Sequence, residues 1–301
     1  MSLRERLVIG TRGSALALKQ IDITRSIIQA INPSLAIEAR IIKTLGDVNQ
    51  NPIPLDTIGK SWFTKEIEDA LLSGEIDLAV HSLKDMAEEM PGGLHIGAYL
   101  PREDARDVLI TKRGQSLEEL PRGAIIGTDS SRRQIQMKAL RPDVRMQSLR
   151  GNVLTRLQKL TSEPYDAIIL AAAGLKRLGL EQRITRYLEP HEMTPAPGQG
   201  ILAVQVKEGD TELHKLLAVI NDVDAAHAAR IERSFSKAMG GGCKSPTGAY
   251  ASREGNQCLL IGMRADSESN ILRTEMRAPW EKSAHLGEML AQKLLTVRDD
   301  D

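Results

Sequence analysis

The sequence predicts an α/β protein built from two similar doubly wound lobes and a small α+β domain at its C-terminal end. Before Asp224, short apolar runs alternate with amphipathic stretches, a pattern typical of mostly parallel sheets flanked by helices. The layout of residues 7–31, a strand followed by a polar turn and a helix, recurs at residues 124–142. After Asp224 the order changes to one helix followed by three strand-like runs.

The first lobe begins with the apolar run Leu7–Ile9 and a helix that Ser14 is predicted to cap. A long polar stretch, Lys43–Ser61, precedes the next helix and is a candidate mobile lid. The other elements predicted here are the strands Ile37–Ile42 and Ile76–Val80 and the helix Lys65–Leu72.

The second lobe is predicted to lie between two chain crossings. The first crossing is at Pro101–Asp104, and the second is Met193–Gly200, which leads to a further strand, Ile201–Val206. Two segments at which the chain passes between lobes are typical of a protein whose two lobes share a hinge and a cleft. The elements predicted between them are the strands Val108–Ile110, Ala124–Ile126, Val144–Leu149 and Ala167–Ala171 and the helices Ile135–Leu140 and Val153–Leu160.

The third domain is predicted from a change of pattern after the second lobe. It would hold the helix Asp224–Met239, the strands Thr247–Ala251, Cys258–Met263 and Ile271–Met276, and a final helix, Pro279–Val297. The predicted domain bounds are residues 1–100 with 200–218, residues 104–194, and residues 223–301.

Composition narrows the class of protein. The 301 residues are 41% hydrophobic and 27% charged, which suits several domains with cores. Forty basic and forty acidic residues give no net charge, so the basic footprint of a nucleic-acid-binding protein is absent. The first residues contain no apolar signal core, and no apolar run is long enough to span a membrane. Because the two cysteines lie in different contexts, we expect no disulfide and a cytoplasmic protein.

One cysteine, Cys243, lies in a glycine-rich loop that follows a predicted helix. Gly240, Gly241 and Gly242 reach backbone angles that other residues avoid, which is typical of the end of a helix. The cysteine is then either incidental to a helix terminus or a covalent attachment point whose thiolate the neighbouring Lys244 favours. The other cysteine, Cys258, belongs to an apolar strand and is expected to be inert.

Polar side chains follow two strand ends of the first lobe. Arg12 and Ser14 come after the first strand at the start of a helix, and Lys84 and Asp85 come after Ile76–Val80. Ligands of open α/β sheets bind at the carboxyl ends of strands. The alternatives are a capping serine beside a solvated arginine and a solvated Lys–Asp turn. His81 is interpreted as a structural histidine in preference to a base.

Cations also follow strand ends in the second lobe. Because these cations cluster after the strand ends, they predict a cleft that binds carboxylates or phosphates. These cations are Arg132, Arg133, Arg150, Arg156, Lys176 and Arg177.

Seven motifs carry a resemblance to the porphobilinogen deaminase (hydroxymethylbilane synthase) family over essentially the whole chain. The motifs occur in the family's order. They are Thr11-Arg12-Gly13-Ser14, His81-Ser82-Leu83-Lys84-Asp85, Gly127-Thr128 with Ser130 and Arg132-Arg133-Gln134, Leu149-Arg150-Gly151-Asn152-Val153 with Arg156, Ala172-Ala173-Gly174-Leu175, Pro197-Gly198-Gln199-Gly200-Ile201, and Gly241-Gly242-Cys243.

The resemblance implies an enzyme of tetrapyrrole (haem) biosynthesis. Such an enzyme joins four porphobilinogen molecules head to tail with loss of ammonia and releases 1-hydroxymethylbilane. The resemblance also implies two lobes like those of periplasmic binding proteins, a third domain that carries a dipyrromethane cofactor as a thioether on Cys243, no metal, and a monomer.

The same resemblance assigns roles to particular side chains. It implies that Asp85 is the catalytic carboxylate. The residues implied for the cofactor, besides Cys243, are Lys84, Thr128, Ser130, Arg132, Arg133, Gly174 and Arg177. The residues implied for the substrate are Arg12, Ser14, Gln20, Arg150, Arg156 and Gln199.

The chain departs from the family's pattern at several positions. The lid sequence Ile58–Phe63 has lost two glycines, and Lys19, Met86-Ala87, Gln205 and Lys244-Ser245 replace residues that are common in the family. None of these changes removes an implied catalytic or anchoring residue. The alternative function is a non-catalytic two-lobed binding protein for a small dicarboxylate, which would carry no covalent adduct.

Overall fold

A computed structural model of the chain describes residues 5–44, 64–240, 246–265 and 270–296. Within these ranges the chain forms thirteen strands and eight α-helices. The elements of residues 5–177 are β1 (Arg6–Thr11), α1 (Ala15–Ile31), β2 (Ala36–Ile41), α2 (Lys65–Leu72), β3 (Leu78–Ser82), β4 (Leu94–Tyr99), β5 (Asp107–Thr111), β6 (Ile125–Gly127), α3 (Ser131–Leu140), β7 (Arg145–Gln147), α4 (Val153–Ser162), β8 (Ala167–Ala171) and α5 (Ala172–Arg177). The later elements are β9 (Arg186–Leu188), β10 (Leu202–Lys207), α6 (Thr211–Ile220), α7 (Val223–Ala238), β11 (Thr247–Glu254), β12 (Gln257–Ala265), β13 (Ile271–Pro279) and α8 (Leu286–Thr296).

The chain divides into two compact units. The first unit is Met1–Arg102 with Ile201–Ala226, and the second is Glu103–Gly200 with His227–Asp301. The second unit thus holds both the middle of the chain and the C-terminal strands β11 to β13. Our division into three domains stays a prediction.

Each unit contains a five-stranded sheet with the same plan. The strand order is β2-β1-β3-β10-β4 in the first unit and β7-β6-β8-β5-β9 in the second. Four strands of each sheet run in one direction, and the fourth in the order, β10 or β5, runs antiparallel to both neighbours. The predicted mixed α/β class with two similar sheets is confirmed. Each sheet is mostly parallel, but it contains one antiparallel strand.

Alternating side chains of the central strands enter two cores on opposite faces of each sheet. In β5, Val108 and Ile110 pack on one face and Leu109 on the other. β3 does the same, with Leu78 and Val80 on one face and Ala79 on the other. A strand that is covered on both faces has no polar side, which explains why these segments appear as continuous apolar runs in the sequence.

The C-terminal strands β11, β12 and β13 form an antiparallel sheet whose core includes Phe235 of α7 and Leu290 of α8. The prediction of a helix from Pro279 is wrong at its start. β13 continues to Pro279, a 3-10 turn follows, and α8 begins only at Leu286. The physical reason is that the buried Trp280 is anchored to the sheet, since its backbone N–H donates to the Asn256 carbonyl.

Candidate active site

A pocket of about 100 Å³ opens in the first unit beside the carboxyl ends of β1 and β3. This is the edge where ligands of α/β sheets bind. Three residues predicted from sequence, Arg12, Gln20 and Asp85, lie in its wall. The wall also contains residues that were not assigned to the substrate, including Thr64, His81 and Ser82.

Local hydrogen bonds hold these side chains in place. The hydroxyl of Ser14 accepts the backbone N–H of Ala17 at 3.2 Å and caps α1, as predicted. Gln20, buried on the same helix, donates to the Ser82 hydroxyl at 2.9 Å and links α1 to β3. The side chain of Ser14 is thus occupied by the helix, whereas Gln20 contributes to the pocket wall.

Asp85 ends a 3-10 turn, Leu83–Asp85, that follows β3 directly. The turn is anchored on both sides, because the Leu83 N–H donates to the Ile201 carbonyl and the Met86 N–H donates to Leu83. Leu83 and Met86 are buried, whereas Asp85 is exposed and Lys84 is half-buried. The fold therefore presents a carboxylate to the pocket on a rigid support.

His81 lies in the pocket wall with only 8% of its surface exposed. Burial lowers the pKa of His81 to about 4, although the Gln205 side chain and the Asp85 carboxylate raise it; Arg12 lowers it further. Gln205 in turn donates to the buried Glu68 carboxylate at 3.2 Å. His81 is thus a neutral imidazole at neutral pH and belongs to a buried polar row.

In the second unit the side chain of Asp107 accepts hydrogen bonds from three of the predicted site residues. Its side chain is fully buried and accepts from Arg132 at 2.7 Å, from Arg133 at 2.7 Å and 3.1 Å, and from the Gln199 amide at 2.9 Å. Arg133 also donates to the Ile169 carbonyl of β8. These three side chains are therefore part of the framework of the second unit.

Arg177 is held near the second chain crossing. Its guanidinium donates to the Gly200 carbonyl at 2.6 Å, and burial lowers the pKa of Arg177 to about 10. Gly200 has φ of +90°, and a β-carbon there would collide with the Glu103 carbonyl. The glycine of the Pro197–Gly200 motif is thus required by a close backbone approach.

The other predicted residues of the second unit lie around the starts of α3 and α4. Ser130 caps α3, and its backbone N–H donates to the hydroxyl of the buried Thr128. Arg150 pairs with Asp129 at 3.0 Å and stays 44% exposed. Arg156 lies half-buried on α4, and Gly174 is buried in α5.

Two predictions fall on residues outside the described ranges. Cys243, with Gly241 and Gly242, lies in 241–245, and the lid sequence Ile58–Phe63 lies in 45–63. Gly240, the residue before this loop, has φ of +90°, as expected for the glycine at the end of a helix. Cys258 is fully buried in β12, and burial raises the pKa of its thiol, which agrees with an inert cysteine.

The second unit has the charge that an acidic cofactor needs. Two buried guanidinium groups, those of Arg132 and Arg133, share the one carboxylate of Asp107, so this cluster carries an excess positive charge. Burial also lowers the pKa of Arg177, and the Glu103 carboxylate opposes this shift only in part. Side chains of this kind fit a group that bears several carboxylates.

Sequence reasoning missed Asp107 and Glu232, two buried carboxylates. Glu232 of α7 accepts the backbone N–H groups of Gly198 at 2.6 Å and Ala251 at 2.7 Å, and so joins the crossing segment to β11. The sequence feature that could have revealed them is an acidic residue next to an apolar strand, as in Asp107-Val108, or on the apolar face of a helix, as for Glu232. Such a residue is rarely buried unless it is paired.

Two family models match the chain. "Porphobilinogen deaminase, dipyromethane cofactor binding domain" matches residues 7–215, and "Porphobilinogen deaminase, C-terminal domain" matches residues 226–296. A curated porphobilinogen deaminase of Roseiflexus castenholzii is 46% identical over 97% of this chain and 97% of its own length. That of Fusobacterium nucleatum is 43% identical over 97% of this chain and 98% of its own length.

Among solved structures, the chain is similar to the methionine binding protein MetQ. It is 10% identical with a TM-score of 0.48, over 76% of this chain and 95% of its own. Substrate binding domain 2 of Lactococcus lactis GlnP is 14% identical with a TM-score of 0.43, over 72% of this chain and 88% of its own. Within the described residues, no helix is long and apolar enough to cross a membrane, and no group of three or more His, Cys, Asp or Glu side chains could hold a metal ion.

The substitution Asp107→Asn should strongly destabilise the second unit. It would leave two buried arginines without their counter-charge, and removal of one partner of a buried ion pair costs about 3–5 kcal/mol. The free energy of unfolding from urea titration measures this loss. Asp143→Asn, which affects the more exposed Arg141 pair, is the control and should cost much less, because exposed ion pairs contribute little to stability. Equal losses in the two variants would contradict the framework role of Asp107.

His81 should make the protein less stable in acid. The unfolded chain binds a proton at the ordinary pKa of 6.5, whereas the folded protein binds it only near 4, so acid favours the unfolded state. This contribution is complete above pH 6.5 and falls by about 3 kcal/mol as the pH drops to about 4. Unfolding free energies of the parent and of His81→Asn should diverge over that window. Parallel curves would show that the imidazole is not buried in its neutral form.

Proposed function

This chain belongs to the porphobilinogen deaminase family, and on that basis we propose how its residues carry out the family's reaction. The enzyme joins four porphobilinogen molecules head to tail, with loss of ammonia, to give 1-hydroxymethylbilane. The observation that carries the assignment of the active site is the pocket of the first unit, which combines the Asp85 carboxylate with the Arg12 guanidinium. The alternative of a dicarboxylate-binding protein has no counterpart among the curated relatives described above.

Asp85 is the catalytic carboxylate in this proposal. Loss of ammonia from porphobilinogen leaves a positive charge on its methylene carbon, which the pyrrole ring shares. A carboxylate that is already fixed in place stabilises such a charge where it develops. The anchored turn Leu83–Asp85 supplies that fixed position, because its backbone is hydrogen-bonded to Ile201 and its flanking side chains are buried.

The arginines serve two different purposes in this proposal. Arg12, Arg150 and Arg156, which lie half-buried or exposed at the starts of helices, bind the acetate and propionate groups of the substrate. Arg132, Arg133 and Arg177 are more deeply held and bind the carboxylates of the cofactor with their excess charge. Thr128, Ser130, Lys84 and Gly174 border the cofactor, and Ser14, Gln20 and Gln199 border the substrate.

The cofactor is dipyrromethane, and we assign Cys243 as its thioether anchor. When bound, this group supplies the terminal pyrrole carbon to which the first substrate is joined. The support for Cys243 is its glycine-rich loop and the exclusion of Cys258, whose thiol is buried with a raised pKa. The protein is expected to act in the cytoplasm as a monomer.

Intact mass measurement tests the anchor. Cys243→Ala should fold but carry no covalent adduct and form no bilane, because the thiolate that makes the thioether is gone. Cys258→Ala is the matched control and should keep both the adduct and turnover, at some cost in stability from the buried site. An adduct on Cys243→Ala would assign the cofactor to another residue.

Substitution of Asp85 tests the electrostatic role. A carboxylate about 4 Å from a unit positive charge, at an effective dielectric near 20, contributes roughly 4 kcal/mol, which is about a thousandfold in rate. Asp85→Asn should therefore lose about that factor in bilane formation with its melting temperature unchanged, and Asp85→Glu should lose less. Turnover of Asp85→Asn within about tenfold of the parent would remove Asp85 from the mechanism.

A further inference from the structure

Arg273 of β13 is a half-buried arginine whose hydrogen bonds, within the described residues, all go to uncharged acceptors. Its Nε atom donates to the Thr194 hydroxyl at 3.0 Å. Its Nη2 atom donates to the Gln136 side-chain oxygen at 2.8 Å and to the Glu192 carbonyl at 3.1 Å. The neighbouring Arg186, by contrast, pairs with the Glu192 carboxylate itself at 2.6 Å. Arg273 is thus fitted to three neutral oxygens instead of a counter-charge.

Stability alone does not explain this arrangement. A charge that is removed from water is costly unless it is paired. Burial lowers the pKa of Arg273, and no charge in the described part of the chain opposes the shift. An apolar side chain of similar length would cover the same surface without that cost. What the guanidinium adds is therefore the direction of its hydrogen bonds.

Both side-chain acceptors of Arg273 belong to the residues that hold Arg132. Gln136, fully buried on α3, accepts the Thr194 backbone N–H at 2.7 Å and donates to the Thr194 carbonyl at 3.1 Å. The same carbonyl accepts from Nη1 of Arg132, whose Nη2 pairs with Asp107 at 2.7 Å. Thr194 therefore lies between the two arginines, with its hydroxyl bound to Arg273 and its carbonyl bound to Arg132.

Strand β11 of the same sheet contacts this segment as well. The Ala249 backbone N–H donates to the Pro195 carbonyl at 3.0 Å. A β-carbon on Gly248 would lie 2.8 Å from the Thr194 carbonyl oxygen, so this close approach requires glycine. In the sequence β11 follows the loop that contains Cys243. The C-terminal sheet is thus docked, by two of its strands, on the segment that orients Arg132.

We propose that Arg273 is a positioning residue that holds Arg132, through Thr194 and Gln136, in the geometry that binds a carboxylate of the cofactor. The inference rests on the proposed function, in which Arg132 binds the cofactor and Cys243 anchors it. A guanidinium is planar and its donors form a fixed fork, so it sets the directions of two acceptors at once. A lysine ammonium has the charge but not the fork.

Substitution of Arg273 tests this role. Arg273→Met removes the fork and keeps most of the length. Intact mass gives the fraction of the full-length chain that carries the covalent adduct, and initial rates per adduct-bearing molecule give kcat and KM. We expect the adduct fraction to fall below about half of the parent's. In the loaded molecules kcat should fall about fivefold or more, the effect of one ordinary hydrogen bond, with KM for porphobilinogen within about twofold.

The conservative variant Arg273→Lys separates geometry from charge. Because it keeps the charge without the fork, it should show losses similar to those of Arg273→Met. Parent values of the adduct fraction and of kcat in Arg273→Lys would show that only the charge is used, and would overturn the positioning role.

Two controls separate positioning from a loss of stability. Arg277→Met changes the next arginine of β13, which pairs with exposed glutamates, and should keep the adduct fraction and kcat. Leu290→Ala opens a cavity in the core of the C-terminal sheet. It should lower the free energy of unfolding at least as much as Arg273→Met does, yet keep the parent's kcat in the loaded molecules. An equal fall in kcat for Leu290→Ala would reduce Arg273 to a residue of stability only.

A double variant distinguishes a failure of this inference from a failure of the proposed function. If Arg273 acts through Arg132, the losses in kcat of Arg273→Met and Arg132→Met should not multiply when the two are combined. Losses that multiply would overturn the positioning role and leave the cofactor role of Arg132 intact. Full adduct loading and parent kcat in Arg132→Met alone would instead remove the cofactor role of Arg132 and, with it, this inference.

Discussion

The buried ion cluster at Asp107 is the interaction on which the second unit depends. One carboxylate at the start of β5 receives two arginines of α3 and the Gln199 amide of the crossing segment. The arginines also donate to the Thr194 and Ile169 carbonyls, so the cluster ties together four parts of the chain. Charges buried in this way are stable only when their hydrogen bonds are satisfied, which gives the arrangement its rigidity.

The same cluster explains how a structural framework can also bind a ligand. Arg132 and Arg133 are held in position by Asp107, so they need no reorganisation to meet a further carboxylate. Their shared counter-charge leaves part of the positive charge unbalanced, and Arg177 is in a similar situation beside Gly200. Preorganised charge of this kind stabilises a bound anion without the cost of ordering flexible side chains.

Much of the fold and part of the site could be predicted from local patterns. The strand-turn-helix units at Arg12 and at Arg132 follow from periodicity and capping, and Asp85 follows from its place after β3. Asp107 could not be found in this way, because its role is defined by partners that are 25 or more residues away. The start of α8 was also missed, since the anchoring of Trp280 to Asn256 is a tertiary contact. Short elements such as β9 carry too few residues for a periodic signal.

The two five-stranded sheets differ in the order in which their strands are synthesised. All five strands of the second sheet come from one continuous stretch, residues 107–188, so that sheet can pair as soon as this stretch has left the ribosome. The first sheet has β10 between β3 and β4, and β10 is made only after the whole second sheet. Until Lys207 emerges, β3 and β4 have unpaired edges that are open to other chains. The first sheet is therefore completed after the second, although β1 to β4 are made first, and these four strands need protection from aggregation in the meantime.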